Sequence, residues 1–370
     1  MSRNASRIDL TRVKVQPLAE RRSLCCVDDI LVDPASPPPA CAEPLLERIT
    51  ECATRIAAAR RRNAAVILMY GAHLLRNGAA RILTRMMDRG WLTHLATNGA
   101  GSIHDWEFAF LGKSTESVKE NVANGTFGAW DETGRYIHLA LLVGGVRGEG
   151  YGQALGRFIM RNGVTVPSAG SLEQSLKSEP LHPLAAARAD LLQALHAKQV
   201  TEGATVVPHR WPHASIMGQA FQRLISLTVH PGIGYDIISV HPMFNGAAIG
   251  RAAAVDFRRF AAAVEELDGG VVMSIGSAIM APQVFEKSLS CVNNLRLQAG
   301  RSIVHDHTLY VVDLQEGGHW DWSRGEPPKS NPAYYLRFCK SFSRMGGAMH
   351  YLSCDNLVFL HNLFHQLERL

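Results

Sequence analysis

Several segments of the chain combine residue types that bind phosphates or move protons. Tyr70-Gly71-Ala72-His73-Leu74 and Thr97-Asn98-Gly99-Ala100-Gly101-Ser102-Ile103-His104-Asp105 each follow a short apolar run. Small side chains let a backbone approach a ligand closely, and a helix start offers free N–H groups to a phosphate. The glycine spacing is not the GxGxxG dinucleotide fingerprint. The alternative is a tight strand-to-helix turn, with His104 and Asp105 as caps. His241-Pro242-Met243-Phe244-Asn245-Gly246-Ala247-Ala248-Ile249-Gly250 and Ser274-Ile275-Gly276-Ser277-Ala278 have the same character. Together these loops fit one long ligand such as a dinucleotide; singly, each fits an ordinary glycine-containing turn. A further segment, from Gln315 to Pro328, mixes Trp320 and Trp322 with His319, Asp321, Arg324 and Glu326. A loop of that length in a compact domain is functional or disordered, and its tryptophans favour order.

Other chemistries lack their signatures. His209 and His213 have helical spacing, but Pro208 and Pro212 break a helix there. His305 and His307 alternate, and no HExxH occurs, so no metal is expected. No CxxC, P-loop or GxSxG sequence is present.

The elements that would hold the loops alternate along the chain. Residues 1–45 read as an irregular N-terminal arm, because Asp33-Pro34-Ala35-Ser36-Pro37-Pro38-Pro39 sustains neither a helix nor a central strand. Residues 46–370 read as one domain, opened by a helix from about Glu43 to Arg62. Buried strands are expected at Ala65–Met69, Trp91–Ala96, Thr205–Val207, Asp236–Val240, Gly270–Ser274 and Thr308–Val312. Helices are expected at Leu74–Arg89, stopped by Gly90, then around Glu107, Ser114–Asn124, 181–198, Ala252–Leu267, Pro282–Leu295 and Asn356–Leu370. Ile137–Val143 fits either state. Short apolar strands between helices predict an α/β fold, a Rossmann-like parallel sheet covered by helices on both faces. Ligands of such sheets bind beyond the C-terminal strand ends, where these loops lie.

Composition is compatible with that class. Of 370 residues, 46% are hydrophobic and 19% charged, ordinary globular values. The net charge of +5 and pI near 8.9 are a mild excess, partly from Arg21-Arg22 and Arg60-Arg61-Arg62. A nucleic-acid binder would show a longer basic stripe, so no nucleic-acid partner is expected. No apolar run approaches the ~20 residues of a membrane span. The seven scattered cysteines read as reduced thiols, and the expected location is cytoplasmic.

The order and content of the loops resemble the deoxyhypusine synthase family, which includes homospermidine synthases. The resemblance covers roughly residues 65 to 365. It is best from Gly71-Ala72-His73-Leu74-Leu75-Arg76-Asn77-Gly78 through Thr97 to Asp105, and continues at Val271–Ala278 and Leu357-Val358-Phe359. It implies NAD as cofactor, with His73, Asn98, Gly99, His104, Asp105, Asn245, Gly246, Gly276, Ser277 and Asp355 around it. It also implies a homo-tetramer and transfer of an aminobutyl group from a polyamine through a lysine imine. Counting back from Tyr351, Lys340 falls where the family's Trp-Gly-Lys motif would put that lysine, with Phe338 for the tryptophan and Cys339 for the glycine. Lys329 is the other candidate. Gln315-Glu316, Asp321, Gly325 and Pro327 match the preceding loop, placing His319 and Asp321 near the substrate. An imine-forming lysine must be neutral, so its site should depress its pKa. Some positions depart from the family. Asn245-Gly246-Ala247 replaces Asp-Gly-Ser, Arg251 stands where an amine-binding acid is expected, and the histidine expected near Met280-Ala281-Pro282 is missing. A polyamine needs carboxylates, so a carboxylate- or phosphate-bearing ligand, or a non-catalytic binding role, is the alternative.

Overall fold

The computed structural model describes residues 7–317 and 319–370; residues 1–6 of the expected arm and Gly318 of the tryptophan segment lie outside them. The run Val66-Ile67-Leu68-Met69-Tyr70 is wholly buried as strand β1. Its alternate side chains serve two cores. Val66, Leu68 and Tyr70 meet Ile49, Ile56, Leu83 and Phe359, while Ile67 and Met69 meet Phe260, Phe285 and Leu309. Burial on both sides is what a continuous apolar strand requires, and each such side chain contributes roughly 1.5–3 kcal/mol.

The remaining strands are β2 (His94–Asn98), β3 (Ser226–His230), β4 (Val271–Ile275), β5 (Thr308–Asp313) and β6 (Ala348–Ser353). All neighbours pair in parallel. The spatial order is β3-β2-β1-β4-β5-β6. This is the doubly wound Rossmann order, which reverses direction between β1 and β4. The expected α/β class with a Rossmann-like parallel sheet is therefore the observed one.

Several expected elements differ. The Leu74–Arg89 helix is two helices, Ala72–Arg76 and Ala80–Asp88. Gly78 breaks it with φ +81°, and a Cβ there would overlap the carbonyl of Ile30 in the arm. The second strand starts later than Trp91, and Thr97-Asn98 ends it rather than opening a loop. Asp236–Val240 is not a strand: Ile237–Val240 is a 3-10 turn. The strand there is Ser226–His230, whose polar positions are satisfied internally, with Thr228 bonding both His94 and His230. Gly203–Val206 is a strand, but it pairs antiparallel with Gly163–Val166 outside the main sheet. Ile137–Val143 lies in the helix Asp131–Gly145.

Between β2 and β3 the chain builds a helical layer that includes Gly99–Leu111, Asp131–Gly145, Tyr151–Met160 and Ile216–Gln222. The arm docks on this layer. Leu18 is fully buried, Cys25-Cys26 pairs with Lys113-Ser114, and Arg21 reaches Glu107 with two hydrogen bonds of 2.7 and 2.8 Å. No helix among the described residues is long and apolar enough to cross a membrane.

Candidate functional site

The C-terminal ends of the strands gather most of the expected loop residues. Gly71 follows β1 and Gly276 follows β4, the two strands at the reversal. A Cβ on Gly71 would overlap the Gly276 carbonyl oxygen, so this approach requires glycine. Gly276 has φ +58°, and a Cβ there would lie 2.6 Å from Asn356 Nδ2. Ser277 is buried, and its hydroxyl has no hydrogen-bond partner among the described residues.

Helix starts surround the same edge. Asn98 caps the helix Gly99–Leu111 by accepting from the Gly101 N–H at 2.8 Å. Asp355 caps the terminal helix Asn356–Glu368 through the N–H groups of Leu357 and Val358. Asn245 caps the helix Gly246–Glu265 by accepting from Ala248 at 2.8 Å, and Gly246 is its first residue. Exposed His73 lies in the short helix after β1.

His104 and Asp105 point to different environments. His104 Nδ1 lies 2.6 Å from Ser114 Oγ, which donates to Glu107 at 2.5 Å. Burial lowers the His104 pKa to about 4, keeping the ring neutral. Burial also opposes ionisation of Glu107, but the Arg21 charge and hydrogen bonds outweigh it and hold the carboxyl below its ordinary range. Asp105 is fully buried and turned to the helix Ile216–Gln222, where it accepts from Ser215 Oγ and the N–H groups of Ile216 (2.6 Å) and Met217 (3.3 Å). Burial raises its pKa to about 7 against those bonds. Its carboxylate caps the neighbouring helix Ile216–Gln222 inside the core, whereas the turn in which the sequence places it as a cap is capped by Asn98.

A cavity of about 380 Å³ opens beside His104. Arg76, Ile103, Glu107, Thr115, Glu116 and Asp236 line it, with Leu24, Val118, Phe127 and Ile237 as apolar wall. Asp236 lies against Gly99, where a Cβ would overlap its carboxylate. Its Oδ2 accepts from the Gly232 N–H at 2.8 Å, while Oδ1 is buried without a partner. Burial raises its pKa to about 6. Thr115, a β-branched residue at φ +71°, is a backbone outlier of the kind that concentrates at binding sites. Arg76, Thr115 and Asp236 carried no role in the sequence reading. Arg76 lay within a quoted motif, and Asp236 was hidden in an expected strand.

The residues expected to be catalytic are not joined. Lys340 Nζ sits 2.8 Å from Glu326 Oε1 and 3.6 Å from the ring centroid of Tyr334. The hydrogen bond to Glu326 raises its pKa, the opposite of what an imine-forming lysine needs. Asp321 accepts from the N–H and hydroxyl of Ser323, which lower its pKa, and His319 is exposed at φ +50°. No hydrogen bond or ion pair links Lys340, His319 and Asp321 among the described residues. Lys329 is exposed. Arg251 is neutralised by Asp190 at 2.6 Å.

The other residues weighed from sequence form no ligand set. The ring of His209 is buried against Trp106, Phe110 and Phe158. Among the described residues no three His, Cys, Asp or Glu side chains are grouped to hold a metal.

Fold and loops together define a Rossmann-type α/β protein whose sheet reverses between two glycines. Among solved structures, unliganded AgrE is similar at 12% identity and TM-score 0.44, over 89% of this chain and 34% of that one. AgrE in its ternary complex with ornithine and NAD+ gives TM-score 0.42 at 12% identity, over 89% of this chain and 34% of that one. A conserved putative LOR/SDH protein from Methanococcus maripaludis S2 gives TM-score 0.43 at 14% identity, over 91% of this chain and 72% of that one. The chain spans about a third of the length of AgrE. No family model and no curated protein matches the chain, so the deoxyhypusine synthase likeness remains one of motifs.

Proposed function

We propose that the chain binds NAD across the C-terminal edge of the sheet and acts there on a small amine or amino acid. The supporting observation is the strand reversal flanked by Gly71 and Gly276. In this strand order a dinucleotide lies at the reversal, and glycine lets its pyrophosphate meet the backbone. The residues fit such a group. The buried hydroxyl of Ser277, next to Gly276, lacks a partner among the described residues. Gly71 and Gly276 would flank the pyrophosphate, with the helix starts at Gly99 and Met280 directed to the same edge. Bound NAD would supply a hydride acceptor.

Aminobutyl transfer through Lys340 is the finer form of this proposal and rests on the motif resemblance, as do the homo-tetramer and the cytoplasmic location. It requires Lys340 to lose the ion pair with Glu326 before it can attack. A second reading, NAD binding without amine turnover, is favoured by that ion pair and by Asn245 in place of the family's aspartate. NADH formation on adding spermidine, putrescine or an amino acid distinguishes them. Amine-dependent NADH supports the first reading. NAD binding with no NADH from any of these supports the second.

A further inference from the structure

The cavity beside His104 carries an unusual pattern of unused polar atoms. Arg76 Nε, Thr115 Oγ1 and Asp236 Oδ1 are all buried and lack hydrogen-bond partners among the described residues. All three residues line this one cavity. Buried polar atoms are ordinarily paired, and each unpaired one costs roughly 1–3 kcal/mol. Three such atoms on residues that line one space make that space the candidate for their missing partner.

Other polar groups of the wall already have hydrogen-bond partners. Arg21 and Glu107 form a buried bidentate pair at 2.7 and 2.8 Å. Glu116 accepts from Asn121 Nδ2, the Gly128 N–H and the Trp130 indole. The Nδ1 of His104 faces Ser114. What remains is one guanidinium, with no carboxylate within ion-pair distance among the described residues, and one carboxylate with a free oxygen. The same cavity has apolar surface from Ile103, Phe127 and Ile237.

We propose that this cavity holds a small zwitterion, an amino acid with an aliphatic spacer, its carboxylate on Arg76 and its ammonium on Asp236. Planar guanidinium suits a carboxylate, and a carboxylate in a part-buried wall suits an ammonium. Thr115 Oγ1 supplies a further hydrogen bond. A dication would leave Arg76 facing like charge, and a dianion would leave Asp236 so. Each is disfavoured where solvent is excluded. The inference deepens the proposed function by naming its substrate class, and it rests on this end of the sheet being the ligand face.

The test is calorimetric titration of the full chain with 5-aminopentanoate, 1,5-diaminopentane and glutarate, which share a five-carbon skeleton. The zwitterion is expected to bind at least about tenfold more tightly than either, the worth of one charge-assisted hydrogen bond. Arg76→Gln and Asp236→Asn should each lose about that factor for 5-aminopentanoate, and Arg76→Lys should recover part of it. Asn at position 236 retains an acceptor for the Gly232 N–H, so that variant keeps the local turn. Equal or tighter binding of the diamine or the dicarboxylate, no binding of any probe, or unchanged affinity in folded variants would overturn the proposal. If a variant does not fold, the ranking of the three probes on the native chain still decides. NAD+ titrated into the same preparation separates the two claims. NAD+ binding without zwitterion binding overturns this cavity assignment alone, and the reverse overturns the cofactor assignment alone.

Discussion

Gly71 and Gly276 approach so closely across the sheet reversal that a Cβ on Gly71 would overlap the carbonyl oxygen of Gly276. The contact is backbone to backbone, so no side-chain rearrangement relieves it. Gly71→Ala is therefore expected to destabilise the fold and weaken NAD binding together. Gly276→Ala adds a Cβ at φ +58°, costing about 1–2 kcal/mol, with a further clash at Asn356. Urea unfolding of both variants measures the cost. Native stability in Gly71→Ala would contradict the packing described.

Arg21 ties the N-terminal arm to the helical layer. Its bidentate pair with Glu107 is almost fully buried, so removing one partner strands the other charge. Arg21→Ala should cost roughly 3–5 kcal/mol. Limited proteolysis of the arm, together with denaturant unfolding, reads this. A loss below 1 kcal/mol would mean that the pair is solvated.

Stability should rise between pH 4 and 6.5. Burial lowers His94 to about 3 and His104, His138, His209, His230 and His241 to about 4. The unfolded chain binds these protons near 6.5 while the folded chain does not, so stability is lost as pH falls through that window. Asp105 and Asp256 at about 7 and Asp236 at about 6 act oppositely, because the folded chain keeps their protons while the unfolded chain releases them near 4. Six histidines outweigh three aspartates, so the net slope is positive. Melting temperature against pH checks this; a stability maximum near pH 4 would contradict it.

The hydrogen bond to Glu326 raises the Lys340 pKa. Glu326→Gln should lower the Lys340 pKa and speed reductive trapping of an aldehyde by that lysine at pH 8, read by peptide mass analysis. Lys340→Ala should leave NAD affinity unchanged. An unaltered trapping rate in Glu326→Gln would show that the ion pair does not govern the lysine.

The sheet was legible because its central strands are continuous apolar runs. Val66–Tyr70, Val271–Ile275 and Thr308–Asp313 carry their burial in their composition. Ser226–His230 was not, because a histidine-threonine network fills positions that periodicity reads as solvent-facing. Asp236–Val240 has the composition of a strand because Ile237, Ile238 and Val240 are apolar, while Gly232, Gly234 and the Asp236 side chain make a turn there. At the site, the glycines and caps were visible as residue types. The cavity was not, because Arg76, Thr115 and Asp236 come from three distant segments, and their significance lies in lacking partners.

The measurement that bears most directly on the central claim is calorimetric titration of NAD+ into the full chain. Saturable binding at one site per chain, weakened in Gly276→Ala even when that variant remains folded, is the predicted result. Absence of binding up to millimolar NAD+ would contradict the assignment of the Gly71–Gly276 reversal as a dinucleotide site.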